Sequence, residues 1–284
     1  MIKCIASDMD GTLLNSNQLI SEENKEAIVK AQAQGIEFVV ATGRSYQEAN
    51  YVLAQAGLTC PVICANGAEV RSKEGAIVSA TPISKQMARE VAARLAEKDV
   101  YFEVYTNQGA FTIDPDKAVS ILVDIVMSAN PEVDREEITE TAGARIREGL
   151  IHSIEDYELL FADEDFQIYK LLAFSFDADR LASANRSLTE LEGLAVSTSG
   201  HDNLEITNVQ AQKGIALESF VMSRGIDLAE TMAIGDNYND VSMLKKAGRA
   251  VAMGNADHYI KSLCDVSTDT NEESGVAKAI LEVI

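Results

Sequence analysis

A chain of 284 residues with 46% hydrophobic content can bury a substantial core, and its length fits one or two domains. Its 45 acidic against 24 basic residues give a net charge of −21, which repels nucleic acid and anionic membranes at long range and argues against either as a partner. An anionic small-molecule substrate would need local positive charge, from a metal ion or from placed lysines and arginines.

Met1-Ile2-Lys3 leads into an apolar stretch too short for a signal core, and no run approaches membrane-spanning length. Cys4, Cys60, Cys64 and Cys264 are scattered; Cys60 and Cys64 bracket the apolar "PVI" and read as buried strand thiols rather than metal ligands. A reducing, cytoplasmic setting is expected.

Strand and helix signals alternate from the start. "IKCIAS" reads as a buried strand, and "SEENKEAIVKAQAQG" as a helix with Ser21 as N-cap and Gly35 as stop. "IEFVVAT" is a second strand, "SYQEANYVLAQAG" a second helix and "CPVICA" a third strand. The rhythm then changes: a hairpin turning at Lys73-Glu74-Gly75, a helix near residues 85–99, and a second hairpin turning at Asn107-Gln108-Gly109. Residues 130–165 are acidic and weakly patterned, with 132–164 reading as a solvated face of the insert, after which "FQIYKLLAFSF", "DADRLASANRSLTELEG" and "LAVSTSGHDNLEIT" read as strand, helix and strand pair. Beyond Lys213-Gly214 the α/β rhythm returns, through "TMAIG", "RAVAMG" and a C-terminal helix. The fold class is therefore α/β: a doubly wound parallel-sheet core over residues 1–82 and 209–284, with an inserted α+β cap domain at 83–208.

In an open parallel sheet, ligands bind beyond the carboxyl ends of the strands. The first strand ends in Asp8 and Asp10, flanking Met9. If extended, residues i and i+2 face the same way, so the two carboxylates would share one space. Two such anions repel unless one holds a proton or both share a cation; the plain alternative is a strand ending in a polar turn. The second strand ends in Thr42-Gly43-Arg44, the third in Asn66-Gly67, and "TMAIG" in Asp236, followed by Asn237, Asn239 and Asp240. Lys213 lies just ahead of the helix that re-enters the core. These types suit one chemistry. Mg²⁺ takes oxygen ligands, Thr, Lys, Asn and backbone N–H groups bind phosphate oxygens, and a carboxylate can attack phosphorus while a second moves protons. No Ser-His-Asp arrangement and no P-loop pattern is evident.

"DMDGTLL", Thr42 in "ATGR", Lys213 in "QKG" and "GDNYNDVSML" occur in an order and spacing that resemble the haloacid-dehalogenase superfamily of phosphohydrolases, specifically its Cof-type members with a large α/β cap. "ANGA", "AVAMGNA" and "TNEESGVAKAI" extend the resemblance across the core, with a local departure at "TNVQAQKG". The resemblance implies that Asp8 is a nucleophile forming an aspartyl-phosphate. It implies that Asp10 protonates the leaving oxygen and then activates water. Asp8, the backbone carbonyl of Asp10, and Asp236 would hold Mg²⁺, supported by Asn237 and Asp240. Thr42, Gly43, Lys213, Asn239 and the Met9 N–H would bind phosphoryl oxygens. Arg44 and Asn66 are candidates for substrate contact, Arg44 alternatively for an ion pair across the domain boundary.

The expected activity is a Mg²⁺-dependent phosphatase of small phosphorylated metabolites such as sugar phosphates, with no nucleic acid, membrane or obligatory protein partner. Two alternatives stand beside it. One is a phosphomutase of the same superfamily; the other is a signalling module that keeps the phosphoryl group on Asp8, which Asp10 disfavours by speeding its loss. The insert is expected to select the leaving group.

Overall fold

The computed structural model describes residues 1–129, 134–198, 200 and 202–284. It divides into two compact units, Met1–Thr81 with Val209–Ile284, and Pro82–Asn208.

The first half of the discontinuous unit runs β1 (Cys4–Ser7), α1 (Glu22–Ala33), β2 (Glu37–Ala41), α2 (Tyr46–Gln55), β3 (Val62–Cys64), β4 (Glu69–Arg71) and β5 (Ile77–Ala80). The helix starts follow local chemistry: the Ser21 hydroxyl accepts from the Asn24 N–H at 3.2 Å, and Ser45 and Glu48 form a capping box. The insert then contributes α3 (Lys85–Glu97), β6 (Tyr101–Thr106), β7 (Gly109–Thr112), α4 (Pro115–Ala129), α5 (Arg135–Arg147), β8 (Ile151–Ser153), α6 (Glu158–Ala162), β9 (Ile168–Phe174), α7 (Ala178–Leu188), β10 (Leu194–Ser197) and β11 (Asn203–Asn208). The chain returns through α8 (Lys213–Ser223), β12 (Thr231–Gly235), α9 (Val241–Leu244), β13 (Arg249–Ala252), α10 (His258–Leu263), β14 (Val266–Ser267) and α11 (Gly275–Leu281).

The core sheet has the order β14-β13-β12-β1-β2-β3-β4-β5. Pairing is parallel from β14 to β3, and the β4–β5 hairpin adds two antiparallel strands at the β3 edge. Successive residues of the central strands feed different apolar clusters: Ile5, Phe38 and Val40 pack into one, Cys4, Ala6, Val39 and Ala41 into the other. Both faces are covered, which is why these strands read as continuous apolar runs rather than alternations. Chain order advances outward from β1 on one side and from β12 on the other, so strand order reverses between β1 and β12. Their carboxyl ends carry Asp8 and Asp236, at the position where doubly wound sheets bind ligands.

The insert forms its own sheet, ordered β10-β11-β9-β6-β7-β8, antiparallel except for β7 with β8. One face is apolar, with Phe102, Val104, Leu171, Ala173, Leu204 and Ile206 in a cluster that also takes residues from α3, α6 and α7. The described acidic side chains of the acidic region are exposed, as a solvated face requires, but the region is also structured. It contains α5, β8 and α6, and it buries Ile138, Ala142, Ile151, Leu160 and Phe161. Ile138 and Ala142 stand four apart on α5 and pack with Val123, an apolar stripe too narrow to outweigh the surrounding acids in the sequence pattern. Residues 130–133 of that region lie outside the described residues. So does His201, which with His152 and His258 reads from sequence as a surface or insert residue.

All four cysteines are free, three of them buried. Burial pushes the Cys4 and Cys60 thiols up to about 12 and raises Cys64 well above its ordinary value. The thiolate is the reactive form. An alkylating reagent at pH 7.5 should therefore label native protein at Cys264 alone and slowly, and all four sites after denaturation. Mass spectrometry of the labelled peptides checks this; rapid native modification of Cys60 or Cys64 would contradict the packing.

Candidate active site

The strand β1 stops at Ser7, and the chain then coils through Met9–Leu13, closed by the Leu14 N–H donating to the Met9 carbonyl at 2.9 Å. The two carboxylates take different partners, although the Asp10 charge still contributes to raising the Asp8 carboxyl. Asp8 is buried, whereas the Asp10 side chain is 49% exposed and turned to Arg44. The Met9 side chain belongs to the apolar core, leaving only its backbone for the site.

Lys213, the first residue of α8, is fully buried, and its ammonium donates to Asp8 Oδ1 at 2.6 Å and to Asp240 Oδ1 at 2.7 Å. Asp240 ends the single turn Tyr238–Asp240, and its Oδ2 accepts from the N–H groups of Asp236 and Asn237, both at 3.0 Å. Both Asp240 oxygens are engaged, so it holds the loop and the lysine in place. Asp236 accepts the Thr12 hydroxyl on Oδ1 at 2.7 Å. Asp8, Asp236 and Asp240 each offer a carboxylate oxygen within 4.8 Å of the others.

If all were ionised, three carboxylates against one ammonium would leave two negative charges in excess in a largely buried space. Burial, reinforced by Asp240, raises the Asp8 carboxyl well above the ordinary range, against the pull of Lys213. Burial likewise lifts Asp236 to about 6, opposed by the Thr12 hydrogen bond and aided by Asp240. Burial alone would lower Lys213, but Asp240 and Asp8 outweigh it, and the side chain remains an ammonium. An oxygen-only donor set with this surplus fits a hard divalent cation, with Asp8 and Asp236 as donors and Asp240 as their support.

Around this cluster runs a second set of contacts. Arg44 holds Asp10 through two bonds, Nε to Oδ2 at 2.9 Å and Nη2 to Oδ1 at 2.5 Å, and also reaches Gln18. Both of these partners, Asp10 and Gln18, belong to the same unit as Arg44. Thr42 is buried, accepts from the Arg44 N–H at 3.1 Å, and donates its hydroxyl proton to no acceptor among the described residues. Gly43 links the two in the same turn. The Asn66 N–H donates to the Thr42 carbonyl at 3.0 Å, and Asn239 Nδ2 to Asn66 Oδ1 at 3.4 Å. Asn239 Oδ1 is buried with no hydrogen-bond partner. Ala65 and Asn66 both adopt left-handed backbone angles, φ 47° and 58°. Such consecutive non-glycine residues are strained and are found where a site fixes the chain.

Sequence reasoning missed Thr12, Ser242 and Asn255. Thr12 bonds a residue 224 positions away; the Ser242 hydroxyl accepts from the Gly214 N–H at 2.9 Å; Asn255 donates to the Gly11 carbonyl at 2.8 Å. None carries a local signal beyond lying in or beside a quoted motif. Gly11 is required twice over, by φ +75° and because a Cβ there would stand 2.6 Å from Asp236 Oδ2.

A model for haloacid dehalogenase-like hydrolases matches residues 5–280. The chain is 37% identical to phosphatase YwpJ of Bacillus subtilis (strain 168), covering 97% of this chain and 98% of the relative. It is 36% identical to 5-amino-6-(5-phospho-D-ribitylamino)uracil phosphatase YwtE of the same organism, covering 100% and 98%. A solved haloacid dehalogenase-like hydrolase from B. subtilis superposes with a TM-score of 0.90 at 36% identity over 100% of both chains.

Two variants test the charge arrangement. Lys213→Ala strands buried carboxylates without their counter-charge and should cost on the order of 3–5 kcal/mol in urea unfolding with chelator present. Adding Asp8→Asn should recover part of that loss, a coupling of about 1 kcal/mol or more. Gly11→Ala should cost roughly 1–3 kcal/mol through backbone strain and the clash with Asp236. Strictly additive Lys213 and Asp8 effects would dissolve the proposed linkage.

Proposed function

The chain belongs to the haloacid dehalogenase-like hydrolases and is a phosphoric monoester hydrolase; on that footing we propose that it is a Mg²⁺-dependent phosphatase of small phosphorylated metabolites that carries the phosphoryl group briefly on Asp8. The observation that carries this reading is the buried surplus of negative charge around Asp8, Lys213, Asp236 and Asp240. Asp8, the Asp10 carbonyl and Asp236 would hold the cation, with Asn237 and Asp240 in support. When bound, Mg²⁺ supplies the positive charge that favours ionised Asp8 and offsets the phosphoryl oxygens.

The chain's own groups then divide the work. An Asp8 oxygen attacks phosphorus while the ester bond breaks, and Asp10 gives its proton to the leaving oxygen. Asp10 next takes a proton from water, whose oxygen attacks the same phosphorus; the Asp8–phosphorus bond breaks and inorganic phosphate leaves. Lys213 orients Asp8 and opposes the charge on the phosphoryl group. The Thr42 hydroxyl, the Gly43 and Met9 N–H groups and the Asn239 amide serve as donors to phosphoryl oxygens. Turning the Asn239 amide over, with the Asn66 amide turned in step so that its Nδ2 donates to Asn239 Oδ1, would present Asn239 Nδ2 where the unpartnered Oδ1 now lies. Arg44, through its two bonds to Asp10, sets where that carboxyl reaches, and Asn66 holds Asn239.

The identity of a relative named for a phosphoribitylamino-uracil supports a metabolite monoester of comparable size as substrate. We assign part of the choice among leaving groups to the insert, Pro82–Asn208, because every residue given a phosphoryl or metal role lies in the other unit. A cytoplasmic setting is proposed on the four free thiols; no helix among the described residues is long and apolar enough to cross a membrane.

The decisive measurement is inorganic phosphate release from a panel of monoesters. Chelator should abolish it and Mg²⁺ restore it. Asp8→Asn should lower kcat by several orders of magnitude with an unchanged or raised Tm, since it relieves carboxylate repulsion. Full turnover in chelator, or by Asp8→Asn, would falsify the mechanism.

A further inference from the structure

Tyr238, in the loop that carries Asp236 and Asp240, and Tyr259, stacked on it, have no place in phosphoryl transfer. Tyr238 opens the turn that presents Asp240 and lies two residues from Asp236, yet it is 56% exposed. Its ring stacks on Tyr259, the second residue of α10, with centroids 5.6 Å apart and planes 13° from parallel; Tyr259 is itself 45% exposed. The Tyr238 hydroxyl donates to Asp257 Oδ2 at 2.6 Å, while Asp257 Oδ1 caps α10 by accepting from the Ile260 N–H at 2.8 Å. The pair is thereby tied to the helix end rather than left free.

Both rings follow the carboxyl ends of neighbouring parallel strands, β12 and β13. The loop leading to α10 also touches the catalytic loop, since Asn255 donates to the Gly11 carbonyl. Ordering two half-exposed tyrosines costs side-chain entropy without the return of full burial. A fixed aromatic surface with an open face gains most when a planar group stacks on it. The charged and amide groups of the site address only the phosphoryl end of a substrate, so the leaving group needs a separate contact.

We propose that Tyr238 and Tyr259 form an aromatic platform for the leaving group, and that the substrates are phosphate monoesters whose alcohol carries a planar ring. This rests on the phosphatase reading. Tyr259 braces Tyr238, and Asp257 fixes its angle.

The test uses the full chain with Mg²⁺ and two monoesters of similar size, benzyl phosphate and cyclohexylmethyl phosphate. Wild type should favour the benzyl ester in kcat/KM. Tyr238→Ala should reduce that preference about five- to tenfold, expressed in KM. Tyr238→Phe should keep most of it, and Tyr259→Ala should weaken it. Calorimetric binding of benzylphosphonate and cyclohexylmethylphosphonate gives the same comparison without turnover. A preference that survives Tyr238→Ala in both assays overturns the platform, as does a Phe variant no better than the Ala one. Preferential benzylphosphonate binding with no phosphate release from either ester would uphold the platform and overturn the phosphatase reading.

Discussion

The structure of this site depends on one buried ammonium. Lys213 sits between Asp8 and Asp240, and all three side chains are almost wholly removed from water. Taking such charges out of water costs several kcal/mol per ion in the effective terms that apply to proteins. The arrangement persists because each group is satisfied several times: Lys213 by two carboxylates, Asp240 by the lysine and two backbone N–H groups. Hydrophobic replacements of equal volume would serve folding as well or better. A largely buried set with two carboxylates too many is therefore a feature to explain by chemistry, and the proposed cation and phosphoryl binding would account for it.

The backbone accommodates the cluster at cost. Gly11 takes a left-handed conformation against Asp236, and Gly214 lies so close to the Ser242 carbonyl that a Cβ would stand 2.1 Å from it. That close approach lets α8 begin directly beside the Tyr238–Asp240 turn, with the lysine pointing inward. Side-chain and backbone contacts then link the loops in a circuit. Asp10 meets Arg44, the Arg44 turn meets Asn66, Asn66 meets Asn239, and Asp240 returns through Lys213 to Asp8. Loops held by shared partners keep their donors in place before substrate arrives, which is the condition under which electrostatic stabilisation needs little reorganisation.

The insert carries a parallel case outside the site. Opposite its apolar face, Glu103, Lys170 and Glu205 are buried on β6, β9 and β11, with Lys170 3.6 Å from Glu205 and 4.3 Å from the Tyr105 ring. Buried charge of this kind specifies register, because a one-residue slip of β9 would move Lys170 into the apolar layer formed by Leu171 and Ala173.

The sequence by itself determined the alternation of elements, because central parallel strands buried on both faces leave unbroken apolar runs and helices leave caps such as Ser21 and Ser45. It also marked Asp8, Thr42, Lys213 and Asp236, since each lies at a strand end or helix start within a short recognisable motif. It left the elements within residues 134–165 unread, where two apolar positions on α5 are diluted by acids. What tertiary structure decided is which groups meet. The i, i+2 spacing of Asp8 and Asp10 suggested a shared space, and the fold decided their partners, Lys213 for Asp8 and Arg44 for Asp10. The Thr12–Asp236 bond and the Tyr238–Tyr259 stack join residues 224 and 21 positions apart. Such pairings come from strand order and loop closure, and no local pattern encodes them.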